Sequence, residues 1–144
     1  EHELAPPPRA EDVARLVEAS RSAGVRTELV MLVDELPDAV ARTAYRVVQE
    51  GLTNVHKHAR GAASCVTVSG DEARGVTVDV VNRRPVSGAS LLPGSGAGLL
   101  GLRERVSLVG GTLRSGPSPD GGWQLSAWLP WQPGVVSGPS GAPA

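Results

Sequence analysis

Apolar residues recur along this chain at two different periods, and the switches between them outline its elements. Over residues 11–23 they fall three and four apart, putting Val13, Leu16, Val17 and Ser20 on one helical face, with Gly24 as a natural stop. Residues 26–33 (RTELVMLV) read as a strand. The three-four spacing then returns at its longest, through Val40, Ala44, Val47, Val48, Gly51, Leu52 and Val55. It predicts a helix running to about Ala59, with Asp34 or Asp38 as its cap and Pro37 in its first turn. Residues 63–69 and 75–82 alternate with a period of two and are joined by a turn around Asp71 and Glu72. A Gly/Ser/Pro-rich loop at 83–97 precedes a helix from about Gly98 to Val109, which halts at Gly110 and Gly111. Strands at 112–115 and 123–129 follow, linked by a Gly/Pro-rich turn. The order predicts an α+β fold: a two-layer sandwich with the helices on one face of a mixed, largely antiparallel sheet.

The flanks differ from this pattern. Residues 1–9 carry Pro6-Pro7-Pro8 and read as an extended linker from an upstream domain, leaving 10–131 as the domain proper. Residues 132–144 are mostly Gly, Pro, Ser and Ala and read as a disordered tail, too poor in apolar surface to offset ordering entropy. The 144 residues suit one domain, and no apolar run approaches the ~20 residues that span a bilayer. Fourteen basic and fifteen acidic residues leave a net charge of -1, which argues against a general nucleic-acid binder. The single cysteine, Cys65, excludes an internal disulfide and a multi-cysteine zinc site. It is compatible with the cytosol and reads as a small buried hydrophobe. Phe is absent, so the core must rest on Val, Leu and Ala with some Trp, and Lys57 is the only lysine among many arginines.

Two constellations carry candidate chemistry. On the long helix Glu50, Asn54, Lys57 and His58 stand at i, i+4, i+7 and i+8, forming a polar stripe separate from the apolar one. A carboxylate, a carboxamide oxygen and an ammonium in line suit a magnesium nucleotide. Asn54 can offer oxygen to Mg²⁺, Lys57 can lie against phosphate, and Glu50 can hold a metal-bound water or accept a proton. The same spacing also fits a solvated helix face. The second constellation is Gly94-Ser95-Gly96-Ala97-Gly98-Leu99-Leu100-Gly101. Its glycines let backbone N–H groups approach an anion at a helix start. It does not fit a dinucleotide-binding βαβ unit, because a long loop rather than a strand precedes it, and the Walker-type phosphate loop is absent. Arg103 and Arg105, one turn further in, can face phosphate or pair with Glu104 on the helix surface.

Residues 44–59, AYRVVQEGLTNVHKHA, closely resemble the N box of sensor histidine kinases, in the subgroup that signals to NarL-type response regulators. Residues 96–105, GAGLLGLRER, resemble that subgroup's G2 box, Gly110-Gly111-Thr112-Leu113 its sequel, and GGWQLSAWLP at 121–130 the domain's last strand. The resemblance covers roughly residues 10–130 and implies the Bergerat (GHKL) ATP-binding fold. It implies Asn54 as a Mg²⁺ ligand, Glu50 beside the metal and its water, Lys57 on phosphate and His58 bordering the nucleotide. It also implies Gly96, Gly98, Leu99 and Gly101 in the ATP lid. The implied reaction moves the γ-phosphoryl of ATP to a histidine on a separate dimerisation helix upstream, and from there to a response regulator. His56 and His58 lie within the N box and are not acceptors. The fragment alone would then bind Mg-ATP without phosphorylating itself. The implied setting is a cytoplasmic domain of a homodimer, with a membrane anchor left open for the full-length protein.

One departure stands out. The family's G1 box is Asp-x-Gly-x-Gly, its Asp bonding the adenine amine, whereas here the strand runs into Asn82-Arg83-Arg84-Pro85. Asn82 falls where the Asp belongs. It can accept the same hydrogen bond without charge, which is weaker by about 1 kcal/mol. Asp79 is no substitute, because alternation puts it with Val81 on the face opposite Val78, Val80 and Asn82. Weakened adenine recognition is the expectation, and two alternatives stay open. One is a degenerate, non-catalytic module of the same fold acting as a scaffold or phosphatase partner. The other is an anti-sigma-factor-like serine kinase, against which the Tyr-Arg-x-x-Gln-Glu and Leu-Arg-Glu-Arg strings weigh. Trp123 shares a face with Leu125, Ala127 and Leu129 while Trp128 lies opposite, and packing is the expected role of both.

Overall fold

The computed structural model describes residues 9–33, 35–58, 61–83 and 97–132. The expected linker and tail, apart from Arg9 and Gln132, lie outside these residues, as do Asp34 and the loop 84–96. The elements are α1 (Ala10–Ser22), β1 (Thr27–Leu32), α2 (Asp38–His58), β2 (Ser64–Asp71), β3 (Gly75–Asn82), α3 (Ala97–Leu108), β4 (Thr112–Pro117) and β5 (Trp123–Leu129). They follow the order read from the periodicity. The five strands form one sheet in the order β1-β2-β3-β5-β4, with β1 and β2 parallel and the other neighbours antiparallel. The sheet is therefore mixed and mostly antiparallel, with three helices over one face.

Helix ends are set by local chemistry. The Arg9 N–H donates to Asp12 Oδ2 at 2.7 Å, so a side chain three residues on satisfies an amide at the start of α1. At the other end Gly24 has φ +96°. The Val25 N–H reaches the Ser20 carbonyl at 2.9 Å and the Gly24 N–H reaches that of Arg21 at 3.0 Å, a Schellman stop. α3 ends the same way: Gly110 has φ +86°, the Gly111 N–H bonds the Val106 carbonyl and the Gly110 N–H that of Ser107, both at 2.9 Å. For α2 the boundary differs slightly from expectation. The Pro37 carbonyl accepts the first bond, from the Ala41 N–H at 2.8 Å, so Pro37 is the cap position and Asp38 opens the helix. Proline has no N–H to satisfy there, and Asp38 places negative charge at the helix's positive end.

The core lies between α2 and the sheet. Val40, Ala44, Val47, Val48, Leu52 and Val55, the stripe read from the sequence, are all buried, together with Val66 and Val68 of β2, Val76, Val78 and Val80 of β3, and Leu125 and Leu129 of β5. Gly51 belongs to this stripe because α2 comes too near β3 for a side chain: a β-carbon there would stand 2.7 Å from Val80 Cβ. Val13 and Val17 hold α1 against the same core, and Leu102 and Val106 hold α3. The turn between β4 and β5 is tighter than the composition suggested, because β4 continues to Pro117, opposite Trp123.

Candidate functional site

Chain direction brings the candidate residues to one end of the sandwich. α2 ends at His58, and a short connection leads to Ser64, the first residue of β2. Ser64 pairs with Asn82, the last residue of β3, and Asn82 pairs with Trp123, the first residue of β5. The C-terminal half of α2, the end of β3 and the start of β5 thus share one edge of the molecule.

The start of α3 meets this edge at Glu50. A β-carbon on Gly98 would stand 2.7 Å from the Glu50 carboxylate carbon and 2.8 Å from Oε1, so the half-buried carboxylate lies directly on the glycine. The first turn of α3 carries no acidic residue of its own. An anion is favoured at such a helix start, where backbone N–H groups point outward, and Glu50 supplies one from the neighbouring helix. Asn54 is half-buried one turn further along, at a rise of roughly 6 Å. Lys57 is exposed in the last turn of α2, where the helix end favours a cation. His58 is the last residue of α2, and its side chain lies outside the described residues, as does Gly96.

The other candidates take different positions. Leu99 is half-buried and packs on the core, while Gly101 is exposed with nothing within 4 Å of where its β-carbon would be. The helix-facing side of β3 ends on Asn82, which is 2% exposed and whose Nδ2 donates to the Arg83 carbonyl at 3.2 Å. Asp79 lies on the opposite face, in the half-exposed row of β3 with Val81. Among the described residues Arg103 makes no ion pair with Glu104 and turns toward β4 instead. Its Nη1 donates to the Leu113 carbonyl at 3.3 Å, tying α3 to β4.

The turn beside Asn82 is well organised. Asp120 Oδ1 accepts from Ser118 Oγ at 2.7 Å and from the Gly122 N–H at 3.1 Å. The Ser118 hydroxyl, then the Gly122 amide, with Arg83 adding a smaller attraction, hold the Asp120 carboxyl below the usual aspartate range. Gly122 is buried, and a side chain on it would overlap the Asn82 carbonyl oxygen, so the start of β5 is pressed onto the end of β3. The pairing of Trp123 with Asn82 escaped sequence reasoning. Alternation placed both on a helix-facing side, but only the strand register makes them neighbours. A cavity of about 950 Å³ opens nearby, lined by Arg21, Arg26, Ser64, Cys65, Arg83 and Asp120, and none of Glu50, Asn54 or Lys57 borders it.

The donor set discriminates among metals. No group of three or more His, Cys, Asp or Glu side chains converges among the described residues, so they offer no cage for zinc or calcium. A carboxylate and a carboxamide on successive turns of one helix fit Mg²⁺, which keeps most of its waters and takes few protein oxygens. Among the described residues no helix is long and apolar enough to cross a membrane.

Comparison with known proteins points the same way. No protein-family model matches the chain. It is 42% identical over 97 residues to the signal transduction histidine-protein kinase/phosphatase UhpB of Salmonella typhimurium, an alignment covering 64% of this chain and 18% of that protein. It is 30% identical over 94 residues to the sensor histidine kinase YxjM of Bacillus subtilis, covering 65% of this chain and 22% of that one. The chain spans about a fifth of the length of these curated relatives. Among solved structures, the mycobacterial sensor histidine kinase MprB superposes with a TM-score of 0.64 at 19% identity, over 89% of this chain and 99% of that one. The blue-light activated histidine kinase EL346 of Erythrobacter litoralis superposes with a TM-score of 0.67 at 18% identity, over 86% and 45%. At these identities the superpositions speak for the fold alone.

Proposed function

We infer that this chain, a relative of the sensor histidine kinases carrying the fold of their ATP-binding domain, binds Mg-ATP between the C-terminal half of α2 and the start of α3. Its γ-phosphoryl group passes to a histidine on a separate dimerisation domain, and from there to an aspartate of a NarL-type response regulator. The observation that carries this reading is the meeting of Glu50 with Gly98, which brings the polar stripe of one helix to the glycine start of another.

Each residue then has a task. The Asn54 carboxamide oxygen would hold the metal, with Glu50 beside it, and Mg²⁺ when bound would neutralise charge on the phosphates. Lys57 would lie against phosphate oxygens, with the α3 start and residues Gly96, Gly98 and Leu99 closing over them. His58 would border the nucleotide. Asn82 Oδ1 would accept a hydrogen bond from the exocyclic amine of the base. In the transfer, a nitrogen of the acceptor histidine bonds to the γ-phosphorus as its bond to the ADP oxygen breaks. Glu50 would accept the proton the histidine gives up. His56 and His58 lie in α2, the helix this reading assigns to the nucleotide, and the acceptor would be a histidine of another domain.

The test has two stages. Calorimetric titration should show Mg-ATP binding that falls at least tenfold in Asn54→Ala and depends on Mg²⁺. Incubation with a separate acceptor-helix domain and ATP labelled on the γ-phosphate should then label that domain and not this chain. Binding without any transfer would reduce the reading to a nucleotide-binding module, and the absence of binding would remove it.

A further inference from the structure

The sheet changes character in its last row before the site. On the helix-facing side, the row Val66, Val80 and Leu125 across β2, β3 and β5 is aliphatic and buried. The final row reads Thr27, Ser64, Asn82, Trp123 across β1, β2, β3 and β5. The first two members satisfy each other, their hydroxyl oxygens 2.9 Å apart, and Ser64 Oγ also donates to the Arg26 carbonyl at 3.2 Å. The last two, Asn82 and Trp123, pair with each other across β3 and β5.

We propose that Trp123 forms the nucleobase wall of this site, the face on which a purine hydrogen-bonded to Asn82 stacks. The inference rests on the Mg-ATP reading above and adds a residue to it. Asn82 is nearly fully buried and its amide donor is committed to the Arg83 carbonyl, which turns Oδ1 the other way as an acceptor. An acceptor selects a base that presents an exocyclic amine and repels one that presents a carbonyl oxygen. Opposed residues on antiparallel strands have β-carbons about 4.5–5.5 Å apart, well within the span of an indole. A planar base bonded to Asn82 therefore meets the Trp123 ring. That ring is half-buried and packed against the core, with part of its surface still accessible. The bare Gly122 lets β5 press onto the Asn82 carbonyl and holds the two side chains in a fixed relation. Stacking on an aromatic face needs no charged partner, so an aromatic wall supplies contact beside the uncharged amide of Asn82.

The experiment uses the full chain carrying Trp128→Phe and Trp131→Phe, so that Trp123 is the sole fluorophore of its kind. Mg-ATP, Mg-GTP and magnesium tripolyphosphate are titrated, with emission and heat recorded together. Trp123 emission should change on saturation with Mg-ATP and stay constant with tripolyphosphate, and Mg-GTP should bind more weakly than Mg-ATP. Replacing Trp123 by Ala should lower Mg-ATP affinity about tenfold and leave tripolyphosphate binding unchanged, with Trp123→Phe losing less. Mg-ATP binding with unchanged emission, or an equal loss of ATP and tripolyphosphate binding in Trp123→Ala and Trp123→Phe, would make Trp123 a packing residue and overturn the inference alone. Failure of both ATP and tripolyphosphate to bind the unaltered chain would overturn the nucleotide reading together with it.

Discussion

The carboxylate of Glu50 lies on Gly98, so that a side chain at position 98 and the present position of Glu50 exclude each other. The neighbour is the far end of a flexible side chain, which can swing away without disturbing the core. Gly98→Ala should therefore leave the melting temperature within about 2 °C of the parent, a shift equivalent to a few tenths of a kcal/mol. It should weaken Mg-ATP binding about tenfold, or about 1.4 kcal/mol, because Glu50 and the α3 start can no longer meet. Unchanged affinity by calorimetry would separate Gly98 from the site.

Gly101 offers the contrast within the same motif. Nothing lies within 4 Å of its would-be β-carbon, and it sits in the body of α3 without a positive φ. Gly101→Ala should raise stability to denaturant by about 0.5–1 kcal/mol through helix propensity, with Mg-ATP affinity unchanged. A loss of affinity would mean that α3 bends or unwinds at this point when nucleotide binds.

Gly51 tests the packing that positions the stripe. Its would-be β-carbon stands 2.7 Å from the β-carbon of Val80, a branched side chain on a central strand that cannot yield as Glu50 can. Gly51→Ala should cost about 1–3 kcal/mol in chemical denaturation despite alanine's better helix propensity. A neutral result would show that α2 can rise off β3.

These three glycines also mark what the sequence could and could not convey. Gly51 fell on the apolar stripe and was legible as a packing position, because helical period alone assigns a face. Gly98 and Gly101 were legible as a glycine motif but not as different from one another. Their difference depends on which of them meets α2, and Glu50 and Gly98 stand more than forty residues apart in the chain. The same holds for Asn82 and Trp123. Alternation gave each its face, and the fold class followed from the order of periods, but the register that makes them neighbours is set by how β3 and β5 pair across the intervening α3 and β4.

Restoring a carboxylate at position 82 should act in opposite directions on the free and bound protein. Asn82 is 2% exposed, and its Nδ2 donates to the Arg83 carbonyl. Asn82→Asp removes that donor and sets a buried negative charge against a carbonyl oxygen, which should destabilise the free domain by about 1–3 kcal/mol. In the bound protein the charged acceptor should strengthen the hydrogen bond from the base amine. The rise in melting temperature at saturating Mg-ATP should then be larger in Asn82→Asp than in the parent, even though the starting temperature is lower. Equal rises in thermal shift would show that the base does not bond at this position.

Acid should loosen the turn that presses β5 onto Asn82. Asp120 is held below its ordinary value chiefly by the Ser118 hydroxyl, then by the Gly122 amide. A carboxyl whose folded pKa is depressed contributes stability that is present above its unfolded pKa, about 3.9, and lost as pH falls through the lower folded value. The contribution should be constant from neutral pH down to about pH 5 and fade below about pH 4. Asp120→Asn keeps an acceptor but discards the charge, so it should exchange the Gly122 amide faster than the parent at neutral pH. The two should converge in acid, once the parent's carboxyl is itself neutral. Hydrogen exchange at Gly122, with the amides of β2 as an internal control, gives both numbers. A gap between parent and Asp120→Asn that stays constant into acid would mean that the turn is held by its backbone bonds, Ser118 N–H to Gly122 carbonyl and Gly121 N–H to Ser118 carbonyl, both at 3.1 Å. The aspartate would then be a bystander, and β5 would keep its grip on Asn82 at any pH at which the sheet survives.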